Sequence, residues 1–271
     1  MTDLRTEFAG NIERFSGFAD IYDQYRPAPP ANLATVLTQW AQVKPPFTVV
    51  DLGSGTGLST RYWQDRAERI IGVEPTADMR HQAVTATSAT NVSYREGYSH
   101  QTGLPDGLAS IVTCSQSLHW MEPQATFVEA ARILQPGGVF AAFDYDWPPV
   151  TTSWQADAAY EACMQHVRDL ELTHATSTQI RQWDKPGHLD RMRASNCFRY
   201  VREILLHHVD NGNAQRLVGL LLSQGGVMTL LKAGCTERQL GIDQLRATAD
   251  QELGSTPRPW FWCSRVRLGI V

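Results

Sequence analysis

Residues 49–59 read VVDLGSGTGLS: an apolar run, a carboxylate at Asp51, then glycine at 53, 55 and 57. Glycine costs folding entropy, so three in five positions mark a turn that needs positive φ or a ligand close to the backbone. Placed between a strand-like run and a helix, such a turn aims backbone N–H groups and a helix N-terminus at one point, which suits an anionic or carboxylate-bearing ligand. The surrounding chain fits this placement. Apolar runs at 47–52 (FTVVDL), 69–74 (RIIGVE), 109–115 (ASIVTCS) and 139–144 (VFAAFD) are strand candidates, with a weaker one at 91–96 (NVSYRE). Helical patterns alternate with them, the signature of a mostly parallel sheet covered on both faces. The clearest, PQATFVEAARIL at 123–134, carries Pro123 in its first turn, sets Phe127, Ala131 and Leu134 on one face and stops at Gly137-Gly138.

After DWPP at 146–149 the rhythm changes. Residues 153–195 hold helix formers without a strand-like run, and 198–209 (FRYVREILLHHV) returns to a β-branched, apolar pattern. Residues 213–234 read as helical on both sides of a break at Gly225-Gly226, and Thr236 with Gln239 makes a capping box for a last helix ending near Gly254. Residues 260–271 (WFWCSRVRLGIV) read as a terminal strand. Without repeats or a flexible linker, the expectation is one domain over 1–271: an N-terminal helical lid (1–45), a ligand-binding core (46–150), cap insertions (151–197 and 210–256) and last strands at 198–209 and 260–271.

A net charge of −4 over 271 residues, with scattered Lys and Arg, offers no general attraction to nucleic acid or anionic lipid. No 18-residue apolar run and no basic-then-apolar N-terminal segment occurs, so neither membrane nor nucleic-acid partners are expected and the localisation read is cytoplasmic. The five cysteines lie at least 28 residues apart and the eight histidines form no ligand pattern, so no metal and no disulfide framework is expected. Nothing in the sequence sets an oligomeric state.

Ligands of a parallel sheet collect outside the carboxyl ends of its strands. Glu74 ends the second strong run 23 residues after Asp51, where a carboxylate takes ribose hydroxyls in a dinucleotide or in another nucleoside cofactor. The dinucleotide fingerprint GxGxxG needs its third glycine where Leu58 stands; GxGxG fits.

The ordered motifs D51-L-G-S-G-T-G57, Glu74, LPDGLASIV (104–112) and LQPGGVF (134–140) resemble those of the seven-stranded, class I S-adenosylmethionine-dependent methyltransferases, over roughly 15–150. YDQYRPAPP (22–30) and QSLHWM (116–121) are similar to a small-molecule branch that includes trans-aconitate methyltransferases. The resemblance implies an α/β, doubly wound, mostly parallel sheet of order 3-2-1-4-5-7-6 with strand seven antiparallel and helical cap insertions. It implies S-adenosylmethionine as cofactor and a small-molecule acceptor. By position it puts Gly53, Ser54 and Gly55 at the methionine end, counts Asp51 among the cofactor-binding residues, and sets Glu74 on the ribose and Pro75, Thr76 and Met79 along the adenine. Ser115 and Gln116 fall beside the sulfonium, with Tyr22 and Arg26 closing over it. Where many relatives place a small and an acidic residue after strand three, this chain has Gly97-Tyr98-Ser99, so Tyr98 and Ser99 are candidates there, with Ser99 or backbone atoms as substitutes for the acid's adenine contact.

Most acceptor-side residues stay open between two readings. His119 is a base or a hydrogen-bonded core residue; Trp120, Tyr145 and Trp147 are read as substrate-binding, while Trp147, Trp154 and Trp183 read equally as pocket wall or cap core. Asp144 and Asp146 bind an acceptor amine or cap the next segment, and Arg181 or Arg216 would hold an acceptor carboxylate. The functional alternatives are a methyltransferase, a non-catalytic S-adenosylmethionine-binding protein and an NAD-dependent dehydrogenase, the last opposed by Leu58.

Overall fold

In the computed structural model, which describes residues 8–45, 47–173 and 180–271, the strand-like runs pair into one seven-stranded sheet. Its strands are β1 (Thr48–Leu52), β2 (Arg69–Val73), β3 (Val92–Arg95), β4 (Ala109–Ser115), β5 (Leu134–Tyr145), β6 (Tyr200–Gly212) and β7 (Arg258–Ile270). Their order is β3-β2-β1-β4-β5-β7-β6, with β7 antiparallel to β5 and β6 and the other pairs parallel, as the resemblance implies. The central strands are buried almost throughout because helices cover both faces.

The described helices are α1 (Ala9–Arg14), α2 (Ala19–Tyr25), α3 (Leu33–Trp40), α4 (Leu58–Arg61), α5 (Ala77–Thr85), α6 (Pro123–Ile133), α7 (Trp154–Thr173), α8 (His188–Ala194), α9 (Ala214–Leu222), α10 (Gly225–Lys232) and α11 (Ile242–Glu252). One core packs Leu52, Val73, Phe127, Phe140 and Phe198 on one sheet face, and a second packs Leu33, Leu37, Trp63, Ile111 and Phe143 on the other. A third joins Tyr160, Leu217, Leu220 and Val227 of the cap helices to Trp260 and Trp262 of β7.

Several local expectations are corrected. Helix α6 starts as read, with Pro123 in its first turn and the Glu122 carboxylate accepting from Ala125 N at 2.5 Å, but it ends at Ile133. Leu134 already belongs to β5, and the buried face carries Ala130 and Ile133 rather than Ala131. Gly225-Gly226 is not the break in 213–234. The chain turns at Ser223-Gln224, and both glycines open α10, where a β-carbon on Gly225 would lie 2.9 Å from Arg14 Nε and one on Gly226 would collide with the Glu171 carboxylate. Thr236 and Gln239 do bond reciprocally, but around an isolated turn; α11 begins at Ile242 after Gly241, whose φ is 77°. Part of the segment read as helical at 153–195, residues 174–179, lies outside the described residues.

Candidate cofactor and acceptor site

The turn after β1 is pinned between two strand ends. Gly53 N and Ser54 N donate to Val73 O at the end of β2, at 2.8 and 3.2 Å, and Ser117 Oγ donates to Leu52 O at 2.9 Å from beyond β4. All three glycines have positive φ, at 65°, 54° and 85°. Two are sterically locked: a β-carbon on Gly53 would meet Met121 and Ser117 at 2.5 and 2.8 Å, and one on Gly57 would collide with the Tyr94 hydroxyl. At Gly55 it would meet nothing within 4 Å among the described residues, because that residue faces open space.

Asp51 is the anchor of this turn rather than its ligand-facing residue. Fully buried, it accepts from Ser59 and Thr60 of α4 at 2.6 and 2.7 Å and from Thr113 of β4 at 2.8 Å, and it lines neither of the adjoining cavities. Burial raises its pKa against the pull of those three hydroxyls. Sequence position alone sets Asp51 beside the glycines; only the fold shows that its carboxylate is already spent.

Two cavities meet over the turn. The larger, of about 840 Å³, runs from Gly53, Gly55, Ser115 and Gln116 past Glu74, Pro75, Thr76, Met79, Tyr98 and Ser99. The N-terminal segment roofs it with Phe8, Ile12, Phe15 and Tyr22, and Trp120 closes one side. The smaller, of about 380 Å³, shares Tyr22, Gly53, Gly55, Ser115 and Gln116 and adds Arg26, Ser54, Thr56 and Tyr145. Every expected cofactor residue except Asp51 therefore lines one or both.

Glu74 Oε2 accepts from Gly55 N at 3.0 Å and Oε1 from Thr76 N at 2.9 Å, which leaves each carboxylate oxygen further acceptor capacity. Burial raises the Glu74 pKa; the Thr76 and Gly55 hydrogen bonds and the Arg80 charge pull it back. Among the described residues, Ser54 Oγ, Thr56 Oγ1 and Gln116 Nε2 are buried without a protein partner. Ser99 Oγ is paired with Thr126 Oγ1 at 2.8 Å.

Arg26 ties the roof down. Its guanidinium donates to Ser223 Oγ and Ser223 O, both at 2.8 Å, and to Gln224 Oε1 at 3.0 Å, while its carbon lies 4.7 Å from the ring centres of both Tyr22 and Trp147. Tyr145 donates from its hydroxyl to Pro27 O at 3.1 Å. Asn11, which nothing in the sequence marked, bridges Trp120 O at 3.0 Å and both backbone groups of Arg181 at 2.7 and 3.0 Å. Such bridges span more than a hundred residues and leave no local signal.

The acceptor-side expectations are the ones the structure revises most. His119 lies behind the wall: it is buried, lines neither cavity, and sets Nδ1 3.5 Å from Asp144 Oδ1. Burial lowers its pKa to about 4, more than Asp144 raises it, so it is a neutral core imidazole at neutral pH. Asp144 is buried too, held by Lys185 Nζ at 3.2 Å and Arg267 Nη1 at 2.9 Å. Burial alone would raise its pKa, but His119, Lys185 and Arg267 hold it well below the carboxylate range. Asp146 pairs with Arg265 at 3.1 Å. The aromatic candidates do not share a pocket: Trp120 is on the larger cavity, Tyr145 on the smaller, and Trp147 on a third, open one with Tyr160 and Arg168. Trp154 is three-quarters exposed, Trp183 stacks on Phe8, and Arg216 is committed to Asp210 at 2.5 Å. Lys185, unmarked in the sequence, reaches Gln116 Oε1 at 2.8 Å.

Residues 50–142 match the methyltransferase domain family. Among curated proteins, the chain is 30% identical over 125 residues to an uncharacterised methyltransferase of Mycobacterium tuberculosis, covering 46% of this chain and 49% of that one. It is 25% identical over 134 residues to a probable S-adenosylmethionine-dependent methyltransferase of Saccharomyces cerevisiae, covering 47% and 45%. The chain thus spans about half the length of these relatives. Among solved structures, a provisionally named type II methyltransferase from Anaeromyxobacter dehalogenans superposes with a TM-score of 0.62 at 21% identity, over 91% of this chain and 98% of that one. The Bacillus subtilis YcgJ protein gives 0.52 at 16%, over 88% and 97%. The sheet order is that of this fold.

The Saccharomyces cerevisiae relative is named as S-adenosylmethionine-dependent, and the residues present here suit that cofactor. The open cradle at Gly55 admits a ligand against the backbone, Glu74 keeps acceptor capacity for two ribose hydroxyls, and Ser54 and Thr56, whose hydroxyls have no partner among the described residues, line the smaller cavity.

Proposed function

We propose that this chain, whose residues 50–142 match the methyltransferase domain family, transfers a methyl group from S-adenosylmethionine to a small-molecule acceptor. The observation that carries the reading is the meeting of two cavities over Gly53, Gly55, Ser115 and Gln116, with Glu74 on the wall of one and Arg26 and Tyr22 over the other. A nucleoside fits along Glu74, Pro75, Thr76 and Met79 with its base toward Tyr98 and Ser99, and an amino-acid tail fits the smaller cavity beside Ser54 and Thr56. The aromatic end of the larger cavity, at Phe8, Phe15 and Trp120, suits an apolar acceptor body, in keeping with the small-molecule branch, trans-aconitate methyltransferases included, that the sequence resembles. A formal charge of −4 supports the reading of a protein without nucleic-acid partners, and among the described residues no helix is long and apolar enough to cross a membrane.

When bound, S-adenosylmethionine supplies an electrophilic methyl group on a sulfonium. The chain contributes position. Glu74 and the glycine turn fix one reactant, the roof of α1 and α2 excludes water, and holding both reactants in line accounts for about 7–11 kcal/mol of barrier reduction. His119, neutral and walled off, takes no proton from the acceptor in this scheme. The test is a screen of small-molecule acceptors read by release of S-adenosylhomocysteine. Turnover of a library member is the expected result; binding of S-adenosylmethionine without turnover of any acceptor would make the chain a non-catalytic binder.

A further inference from the structure

Gln116 stands where the two cavities meet and lines both. Its φ is 52°, the left-handed region that a residue with a β-carbon enters only when its surroundings require it. The surroundings are explicit. Gln116 N donates to Phe143 O at 2.9 Å, and Gln116 Oε1 accepts from Lys185 Nζ at 2.8 Å. Lys185 is held in turn by Asp144 Oδ1 at 3.2 Å, and the other oxygen of Asp144 by Arg267 Nη1 at 2.9 Å. A lysine has donors only, so the amide oxygen must face it and the amide nitrogen must face the other way. That nitrogen is buried and has no partner among the described residues. A sulfonium is a cation and accepts no hydrogen bond, so a donor locked beside it is built for something else.

We propose that Gln116 donates this hydrogen bond to an oxygen of the methyl acceptor close to the attacked atom, and that Lys185, anchored by Asp144, is the positioning residue that fixes the amide in that sense. The inference rests on the methyltransferase reading and narrows its substrate class: the acceptor carries a carbonyl, carboxylate or ether oxygen within hydrogen-bond reach of its nucleophile. Lys185 lies between α7 and α8, outside the 50–142 domain. The substrate filter is thus supplied partly by the insertion after β5.

Two measurements test this. The first needs no acceptor. In protein labelled with nitrogen-15 at glutamine side chains and saturated with S-adenosylhomocysteine, Gln116→Leu identifies the Gln116 amide signal by its loss. Lys185→Met should shift that signal and speed its exchange with water several-fold, and Lys185→Arg should restore it in part; Lys185→Gln replaces the methionine variant if that one fails to fold. A signal unmoved by loss of Lys185 overturns the positioning role. The second uses an acceptor found by turnover. Gln116→Leu and Lys185→Met should each raise its KM at least about tenfold while S-adenosylhomocysteine affinity stays within about threefold, and the double variant should be no worse than Gln116→Leu alone. An equal loss of S-adenosylhomocysteine affinity in Gln116→Leu would assign the donor to the cofactor, and fully additive effects would give Lys185 its own contact; either overturns the proposal. A library without turnover counts against methyl transfer, and the amide signal still decides whether Lys185 holds Gln116.

Discussion

At the scale of single residues, the three glycines of the turn look alike in sequence and differ in space. Gly57 is locked by Tyr94, whereas Gly55 faces open space over the cavities. Substitution by alanine separates the two roles. Gly57→Ala combines a positive-φ penalty of about 1–2 kcal/mol with a collision, so its melting temperature should fall well below that of Gly55→Ala. Gly55→Ala should stay folded and lose S-adenosylhomocysteine affinity by at least tenfold in calorimetric titration, about 1.4 kcal/mol. Equal melting temperatures with unchanged affinity in Gly55→Ala would put the ligand elsewhere. Glu74→Ala removes charge-assisted hydrogen bonds worth about 1.5–3 kcal/mol each, so its affinity should fall at least as far. The motif residues were legible because their spacing is local: Gly53, Gly55 and Glu74 are fixed by the turn and the end of the next strand. Asp51 was misplaced by the same logic, since its three hydroxyl partners come from α4 and β4. His119 and Lys185 could not be sorted at all from sequence, because what decides each is its distance to Asp144 and to the cavity wall.

At the scale of elements, the strands declared themselves through apolar runs, while their ends and the helix junctions did not. The helix-to-strand switch at Leu134 and the turn at Ser223-Gln224 depend on what packs alongside, and glycines there serve tertiary contact, as Gly226 does beneath Glu171. The most consequential packing is that of the N-terminal segment. Arg14 pairs with Glu171 of α7 at 2.7 Å, Lys232 of α10 donates to Ser16 O, and Arg26 bonds Ser223 and Gln224, so α1 and α2 are strapped to the cap across the cavities. Bound S-adenosylhomocysteine should add contacts beneath this strap and slow hydrogen exchange across residues 15–30. Identical exchange with and without it would exclude a closing role.

The packing behind β4 and β5 sets a pH dependence. His119 and His188 are buried, and burial lowers each pKa to about 4 from about 6.5 in the unfolded chain. Between those values the unfolded chain binds more protons, so stability rises with pH there. The contribution is complete above about pH 6.5 and lost as pH falls toward 4. Thermal unfolding should therefore show a melting temperature that declines from pH 6.5 to 4.5, and less steeply in His119→Asn. Asp51 and Glu74, whose pKa values burial raises, act in the opposite sense, so the comparison decides: an equally steep profile in wild type and His119→Asn would contradict burial of this ring in the neutral form.

At the scale of the whole molecule, the question is whether the cap is a separate unit riding on the sheet. The cap core says otherwise: Tyr160, Leu217, Leu220 and Val227 pack on Trp260 and Trp262 of β7 and on Tyr145 of β5, strands that also carry the sheet's own cores. Removing the cap would expose two fully buried tryptophans on the sheet, each burying some 150–250 Å², so cap and core should unfold together. Tryptophan fluorescence, to which Trp260 and Trp262 contribute from the cap core, and far-ultraviolet circular dichroism should then give one coincident thermal transition. A ligand that binds only the folded state at 100 times its Kd adds about 2.7 kcal/mol. At about 2–4 °C per kcal/mol for chains approaching this size, S-adenosylhomocysteine should raise both signals together by about 5–10 °C, and NAD at the same concentration should raise neither. Two separated transitions, or a shift confined to the circular dichroism signal, would show that the cap folds independently of the ligand-binding core. A shift with NAD would return the glycine turn to the dinucleotide reading that Leu58 opposes.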